Sequence, residues 1–218
     1  MGKFVHDQSM KPVAILGGTF NPIHHGHLRA AIEIKEALDL SAVHMIPLFA
    51  PPHRDPPVVS ADLRLAMLEA ATQDEDGLIA DDREIRRGGI SYTVETLREL
   101  SDELGSTPLC MIVGTDAFEH LHTWRDWEEL IELAHIIVVH RPGSDLPKDV
   151  PASELLQKVE TDNIKDLHNS PAGCFMSISI PMLEISSTQI RSILHNGQNP
   201  KYLLPEPVLQ IITEQNLY

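Results

Sequence analysis

The chain has little of what marks a secreted, membrane-bound or nucleic-acid-binding protein. Its two cysteines, Cys110 and Cys174, are far apart and form no C-x-x-C pair, which is typical of reduced thiols in a cytosol. Lys and Arg number 17 against 32 Asp and Glu, and the net charge of -15 has the wrong sign for a nucleic-acid or membrane-surface binder. No apolar run approaches the length of a membrane span, and the N-terminus lacks the apolar segment of a signal peptide. We therefore expect a cytoplasmic protein.

The chain also lacks two common nucleotide-binding signatures after its first apolar run. Neither the Walker pattern G-x-x-x-x-G-K-[ST] nor G-x-G-x-x-G is present there, which counts against phosphoryl-transfer NTPases and hydride-transfer enzymes. The length of 218 residues suits one large domain. We expect a flexible arm over 1–11, with Met10 as an alternative start, and a single domain over 12–218 whose C-terminal helical part covers about 182–218.

Strand and helix patterns alternate along the chain. Short apolar runs typical of buried parallel strands occur at 13–16, 43–46, 109–113 and 135–139, with shorter candidates at 78–80 and 175–180. Between them lie a helix capped by Ser60 and a helix over 93–104 closed by Gly105. The capped helix has an apolar face at Leu63, Ala66, Met67 and Ala70. One weaker helix precedes the last strand, and two helices end the chain. The pattern predicts an α/β, Rossmann-like, doubly wound, mainly parallel sheet with helices on both faces and a small C-terminal helical extension.

The most informative segment follows the first strand and reads G-G-T-F-N-P-I-H-H-G-H over 17–27. Gly17 and Gly18 have no Cβ, so a polyphosphate can approach their backbone N–H groups, and the following helix N-terminus favours an anion. His24 and His27 are three apart, so two imidazoles can face one anion while Gly26 keeps the approach clear. An ordinary turn with surface histidines is the alternative. A metal site is a second alternative, although H-x-x-H lacks the further ligand that zinc requires.

A second segment near the C-terminus reads I-S-S-T-Q-I-R over 185–191. Its hydroxyl residues cap a helix that carries Arg191, so hydroxyls, free N–H groups and a guanidinium converge. Alone, this is compatible with an ordinary helix cap and a surface arginine. Together with the first segment, it predicts the second side of a triphosphate site.

These two segments resemble the H-x-G-H and I-S-S-T-x-I-R signatures of the nucleotidylyltransferase superfamily. Within it, the chain is most similar to the bacterial nicotinate mononucleotide adenylyltransferases, from Val13 to Tyr218. The similarity extends to Ser91-Tyr92-Thr93 and to Thr123-Trp124. Two positions depart from the family pattern: Asn21 stands where many members have Asp, and Leu48 where Asn often follows the proline.

The resemblance implies direct adenylyl transfer from ATP to nicotinate mononucleotide, without a covalent enzyme intermediate. His24, His27 and Arg191 would be catalytic. Mg²⁺ would arrive with ATP, and no tightly bound protein metal is expected. The remaining ATP contacts would be Gly17, Gly18, Thr19, Phe20, Gly26, Gly114, Asp116, Ser187 and Thr188. The acceptor contacts would be His53, Arg54, Tyr92, Thr93, Trp124 and Arg141, with the ring stacked on Trp124 and Trp127 the better core aromatic.

Other functions stay open on the sequence alone. The acceptor could be phosphopantetheine, glycerol phosphate or nicotinamide mononucleotide, and the transferred group could be cytidylyl. A nucleotide-sensing module that lost turnover is an alternative of another class. We expect ATP and nicotinate mononucleotide as small-molecule partners, no nucleic acid and no membrane, and a homo-oligomer is left open.

Overall fold

The computed structural model describes residues 10–52, 57–144, 146–147 and 149–218. Within these residues, six strands, numbered β1 to β6 in chain order, form one sheet in the order β3-β2-β1-β4-β5-β6, and every neighbouring pair is parallel. This confirms the predicted doubly wound α/β fold. The strands are β1 Val13–Gly18, β2 Ala42–Pro47, β3 Leu78–Ala80, β4 Leu109–Gly114, β5 His135–His140 and β6 Phe175–Ser179.

The strand order places a topological switch between β1 and β4. The chain winds outward from β1 through β2 to β3 and then returns to β4 on the other side of β1. Connections leave the two central strands in opposite directions, so a crevice opens beyond their carboxyl ends. Gly18 ends β1 and Gly114 ends β4 at this crevice.

Helices cover both faces of the sheet, and each face has its own apolar core. One core takes side chains from α1, α2, α8, α9 and α10, and the other takes them from α4, α5, α6 and α7. The helices of the described residues are α1 His25–Ala37, α2 Ala61–Thr72, α3 Arg83–Arg87, α4 Thr93–Leu104, α5 Thr115–Glu119, α6 Leu130–Leu133, α7 Pro151–Leu156, α8 Ile164–Asn169, α9 Ser187–His195 and α10 Glu206–Glu214.

Helix α2 begins as predicted but buries a different face. The Ser60 hydroxyl accepts a hydrogen bond from the Leu63 N–H at 3.3 Å and caps the helix. The buried residues are Arg64, Met67, Leu68 and Thr72, while Leu63, Ala66 and Ala70 are only half-buried. Of the predicted face, Met67 is fully buried, Leu63 packs against the core while half-buried, and the most buried side of the helix is turned toward Arg64 and Leu68. A charged residue occupies a core position because its guanidinium reaches loop carbonyls.

Other boundaries follow the sequence closely. Helix α4 spans the predicted residues and ends at Gly105, whose φ of 61° suits a glycine. Helix α9 is capped by Ser186, whose hydroxyl accepts from the Gln189 N–H at 3.1 Å. The weaker helix predicted before β6 is two short helices, α7 and α8, and α1 begins earlier than the apolar pattern alone would indicate.

The predicted arm over 1–11 lies outside the described residues except for Met10 and Lys11. The division into an arm and one domain stays a prediction. Within the described ranges, no helix combines the length and the apolar character that crossing a membrane requires.

Candidate active site

The two histidines of the H-x-G-H segment lie face to face where α1 begins. His24 is the N-cap residue of α1, and His27 lies in its first turn. Their ring centroids are 3.7 Å apart, and the ring planes differ by 20°. The buried Phe20 ring meets His27 edge-on, with 5.1 Å between centroids. The loop thus presents two stacked imidazoles at a helix N-terminus.

Both imidazoles are neutral near pH 7. Burial lowers the pKa of His24 to about 4, with a smaller effect from His25, and it lowers the pKa of His27 to about 3, with a smaller effect from His24. Their Nδ1 atoms are buried and have no hydrogen-bond partner among the described residues. Because no partner holds a proton on Nδ1, each uncharged ring is free to carry its proton on Nε2 and to donate from there.

Gly26 is closely packed against His24. A Cβ on Gly26 would lie 3.0 Å from both Cε1 and Nδ1 of His24, and 3.3 Å from the Ile185 carbonyl oxygen. The imidazole ring or the backbone carbonyl would have to shift by a few tenths of an ångström to admit that Cβ. This close approach is a packing reason for the glycine in H-x-G-H.

The glycine pair at the end of β1 faces two different surroundings. A Cβ on Gly17 would meet nothing within 4 Å, whereas a Cβ on Gly18 would lie 3.0 Å from the Phe20 ring. The Thr19 carbonyl that follows accepts a hydrogen bond from Arg64 at 2.8 Å. The open space at Gly17 suits the predicted phosphate approach, which stays a prediction.

The second signature is hydrogen-bonded to the loop of the first. The Ser187 hydroxyl donates to the Pro22 carbonyl at 2.9 Å. Arg191 donates from Nη1 to the Asn21 carbonyl at 2.8 Å and from Nη2 to the Thr188 hydroxyl at 3.2 Å. The structure therefore brings the H-x-G-H loop and the start of α9 into contact; their joint role as a triphosphate site stays a prediction.

Tyr218 extends this arrangement from the other end of the chain. Its hydroxyl donates to Oδ1 of Asn21, the position that departs from the family pattern. Burial raises the pKa of Tyr218, and the charges of Arg191 and Arg64 oppose that change. The phenol remains a protonated donor, so Asn21 accepts one hydrogen bond on its side chain and one on its backbone.

Three further predicted residues lie at the carboxyl ends of β4 and β5. Gly114 is the N-cap residue of α5, and Asp116 is exposed in the first turn of that helix. Arg141 follows β5, and its Nη1 donates to Glu184 at 2.8 Å, next to the second signature. No hydrogen bond or ion pair in the described part of the chain joins Arg141 to Tyr92 or Trp124. Its assignment to the acceptor stays a prediction.

The Ser91-Tyr92-Thr93 turn is attached to the loop after β2. The Ser91 hydroxyl accepts from the Phe49 N–H at 2.9 Å, and the Ser91 N–H donates to the Ala50 carbonyl at 2.9 Å. Thr93 begins α4, and Tyr92 is its N-cap residue without a side-chain cap. Among the described residues, no acceptor takes the N–H groups of Tyr92 and Thr93. This turn therefore offers two adjacent donors at a helix N-terminus.

Aromatic and cationic side chains lie beside this turn. The Arg125 guanidinium carbon is 4.7 Å from the centroid of the Tyr92 ring, and Nη1 of Arg125 donates to Glu95 at 3.1 Å. Trp124, next in sequence, is half-buried at the edge of the core under α4. Trp127 is half-buried at the same edge, so burial alone does not distinguish the two tryptophans.

Some predicted residues cannot be placed, and two contributors were not predicted. His53 and Arg54, predicted to bind the acceptor, lie outside the described residues. Arg64 and Tyr218 were not predicted as site residues, although both contact the site loops. In the sequence, the one indication of a special role for Arg64 was its charge among the apolar residues of α2. Across the described ranges, no group of three or more His, Cys, Asp or Glu side chains could hold a metal ion.

Comparisons with known proteins agree with this site. The family model described as cytidylyltransferase-like matches residues 15–193. A Marinobacter nauticus protein named "Probable nicotinate-nucleotide adenylyltransferase" is 47% identical over 94% of this chain and 95% of its own. A Methylococcus capsulatus protein of the same name is 44% identical over 94% of this chain and 99% of its own.

A solved structure with the same fold is Plasmodium falciparum nicotinic acid mononucleotide adenylyltransferase, complexed with NaAD. It matches with a TM-score of 0.73 at 18% identity, over 95% of this chain and 97% of that chain. The same enzyme complexed with APC matches with a TM-score of 0.71. On these matches over nearly its full length, the chain belongs to the cytidylyltransferase-like family and, within it, to the nicotinate-nucleotide adenylyltransferases.

Proposed function

We propose that this protein transfers the adenylyl group of ATP to nicotinate mononucleotide, forming deamido-NAD and pyrophosphate in NAD biosynthesis. The relatives of 47% and 44% identity carry the name of this activity. The observation that carries the proposal is the junction of the two signatures, in which Arg191 and Ser187 bond the carbonyls of the H-x-G-H loop. That junction gathers the donors that a triphosphate needs.

The reaction needs no protein base. An oxygen of the mononucleotide phosphate attacks the α-phosphorus of ATP, and the bond from this phosphorus to the bridging oxygen of the β-phosphate breaks. Pyrophosphate leaves with the electron pair. A phosphate with a second pKa near 6 is already an anion at neutral pH. Two histidines with pKa values of about 4 and 3 are poor bases, which agrees with this route.

The protein's contribution is then positioning and charge stabilisation. His24 and His27 would donate from Nε2 to oxygens of the α-phosphate and of the bridge to the leaving group. Arg191, with the Thr188 hydroxyl and the backbone N–H of Ser187, would hold the β- and γ-phosphates, where the leaving charge develops, while the Ser187 hydroxyl stays hydrogen-bonded to the Pro22 carbonyl. These donors are held in place before ATP binds, so they reorganise little during the reaction.

Mg²⁺ enters as part of the substrate, MgATP. Mg²⁺ usually keeps several bound waters and is held by substrate phosphate oxygens and one or two carboxylates, rather than by a full set of protein ligands. Stoichiometric zinc in purified, chelator-treated protein would contradict this assignment.

The adenosine half of ATP would lie across the ends of β4 and β5. Gly114 and Asp116 would contact it there, because the N-cap of α5 borders the crevice. A Cβ on Gly114 would meet nothing within 4 Å, which leaves room for a close backbone contact.

The acceptor would bind with its nicotinate carboxylate on the N–H groups of Tyr92 and Thr93. A carboxylate accepts two such bonds and gains from the N-terminus of α4, whereas the amide of nicotinamide would direct its NH₂ group at a donor. Trp124 would stack on the pyridine ring, and His53, Arg54 and Arg141 would contact the remainder. The cytoplasmic location remains a prediction, and the assembly into a homo-oligomer is left open.

A pyrophosphate-release assay tests the function. ATP with Mg²⁺ is incubated separately with nicotinate mononucleotide, nicotinamide mononucleotide, phosphopantetheine and glycerol phosphate. We expect release with nicotinate mononucleotide, and deamido-NAD as the product by mass spectrometry. A higher rate with another acceptor would contradict the acceptor assignment, and no release with any acceptor would favour the nucleotide-sensing alternative. His27→Ala protein is the matched negative control.

A further inference from the structure

Arg64 is a buried cation whose donors all point at loop carbonyls. Its exposed fraction is 1%. Nη1 donates to the Thr19 carbonyl at 2.8 Å, and Nη2 donates to the carbonyls of Leu48 at 2.7 Å and Phe49 at 3.3 Å. Nε donates to the Val59 carbonyl at 3.3 Å. One side chain thus bonds three separate stretches of backbone.

Burying the charge of Arg64 is unfavourable for the stability of the fold. No carboxylate in the described part of the chain forms an ion pair with Arg64, and burial lowers its pKa, with Tyr218 opposing that change. A buried cation without a counter-charge is unfavourable unless hydrogen bonds compensate. Met67, the next buried residue along α2, fills the core with an apolar side chain. The charge at Arg64 is therefore better explained by the loops it bonds than by the packing of α2.

Those loops belong to the two halves of the site. Thr19 lies in the loop that carries the H-x-G-H histidines. Leu48 and Phe49 follow β2, and the Phe49 N–H donates to the Ser91 hydroxyl, directly before Tyr92. The Leu48 N–H also donates to the Gly18 carbonyl at 3.0 Å. A continuous path of hydrogen bonds therefore runs from the ATP loop through Arg64 to the acceptor turn.

We propose that Arg64 is a positioning residue that holds the ATP loop and the Tyr92–Thr93 acceptor turn in one geometry. The kinetic part of this inference rests on the proposed function. Arg64 touches no reacting group. It sets the distance between the attacking phosphate and the α-phosphorus, and a misplacement of about 1 Å there costs on the order of a hundredfold in rate.

The first test compares the parent with Arg64→Lys and Arg64→Met. Lysine keeps the charge but offers one nitrogen in place of the two that bond Thr19 and Leu48. We expect kcat to fall by roughly tenfold to a hundredfold in both variants. We also expect the ratio of kcat/KM for nicotinate over nicotinamide mononucleotide to fall. Met67→Ala is the control, because it opens a cavity at a buried position of the same helix and removes no side-chain hydrogen bond to either loop, and it should lower Tm but keep the ratio.

The second test needs no turnover and so separates this inference from the proposed function. Hydrogen–deuterium exchange of the ligand-free protein follows the Leu48 and Phe49 amides, with β4 amides reporting any global loosening. We expect both loop amides to exchange at least tenfold faster in Arg64→Lys, with β4 unchanged. Ser91→Ala removes the hydrogen bond from the Phe49 N–H and leaves Arg64 in place. It should speed exchange of the Phe49 amide and lower the ratio of kcat/KM for nicotinate over nicotinamide mononucleotide. The proposal would be overturned if Arg64→Lys kept the kcat and the kcat/KM ratio of the parent. It would also be overturned if the Leu48 and Phe49 amides of Arg64→Lys exchanged at the rates of the parent.

Discussion

The ATP half and the acceptor half of the site are built by different means. In the ATP half, side chains from the end of the chain bond the carbonyls of Asn21 and Pro22 in the loop that carries the stacked histidine pair. In the proposed acceptor half, the recognition groups would be backbone N–H donors at the start of α4, beside a half-buried tryptophan. On this proposal, the chemistry depends on preorganised side chains, whereas the choice of acceptor depends on one turn.

The largest expected effect is in the ATP half. His27→Ala removes one preorganised donor at the α-phosphate, and kcat should fall by roughly a hundredfold or more. The KM for nicotinate mononucleotide should change little, because His27 does not belong to the acceptor turn. Steady-state kinetics with both substrates varied measures this, and an unchanged kcat would refute the assignment.

Arg191→Ala should weaken ATP binding in particular. Its guanidinium would hold the β- and γ-phosphates, and charge-assisted hydrogen bonds contribute about 1.5–3 kcal/mol each. We expect the affinity for ATP to fall at least tenfold and the affinity for AMP to change much less. Calorimetric titration with the two nucleotides compares them. Equal losses would mean that Arg191 does not contact those phosphates.

His24 and His27 should make stability depend on pH. The pKa values of His24 and His27 in the fold lie below the ordinary value of 6.5, so the unfolded chain binds more protons between pH 6.5 and about 4. The contribution of these two histidines to the free energy of unfolding is therefore fully present above pH 6.5. It falls as the pH drops through this range, by at most about 1.4 kcal/mol per histidine for each pH unit. Urea unfolding between pH 7.5 and 4.5 measures this dependence. The same slope in a His24→Gln, His27→Gln double variant would show that the loss comes from other groups.

A smaller effect is expected at Tyr218. Tyr218→Phe removes the hydrogen bond to Asn21 but keeps the ring, a change of about 0.5–1.5 kcal/mol. The KM for ATP should rise a few-fold, and the acid-to-amide ratio should stay at the parental value. Tyr202→Phe, at a strongly exposed position, is the matched control. A changed acceptor ratio in Tyr218→Phe would break the separation of the two halves.

Local patterns were enough to predict most of the fold and part of the site. The apolar runs of β1, β4 and β5 and the cap at Ser60 follow from residues adjacent in sequence. The two signatures were predicted to form two sides of one site because both offer donors suited to a triphosphate, and the structure brings the two segments into contact. Arg64 and Tyr218 were missed because their partners are distant in sequence: Thr19 for one and Asn21 for the other. Repeating patterns of neighbouring residues do not indicate contacts between residues so far apart in sequence.

The most direct test of the division between the two halves is acceptor selectivity measured in two proteins. The values of kcat/KM for nicotinate and nicotinamide mononucleotide are determined in the parent and in Trp124→Ala. An unpaired buried polar group costs about 1–3 kcal/mol, and loss of the helix-end interaction adds about 0.3–1 kcal/mol. The parent should therefore prefer the acid at least tenfold. Trp124→Ala should lower both values and keep their ratio, since stacking serves either ring. Equal use of acid and amide by the parent, or collapse of the ratio in Trp124→Ala, would contradict the account.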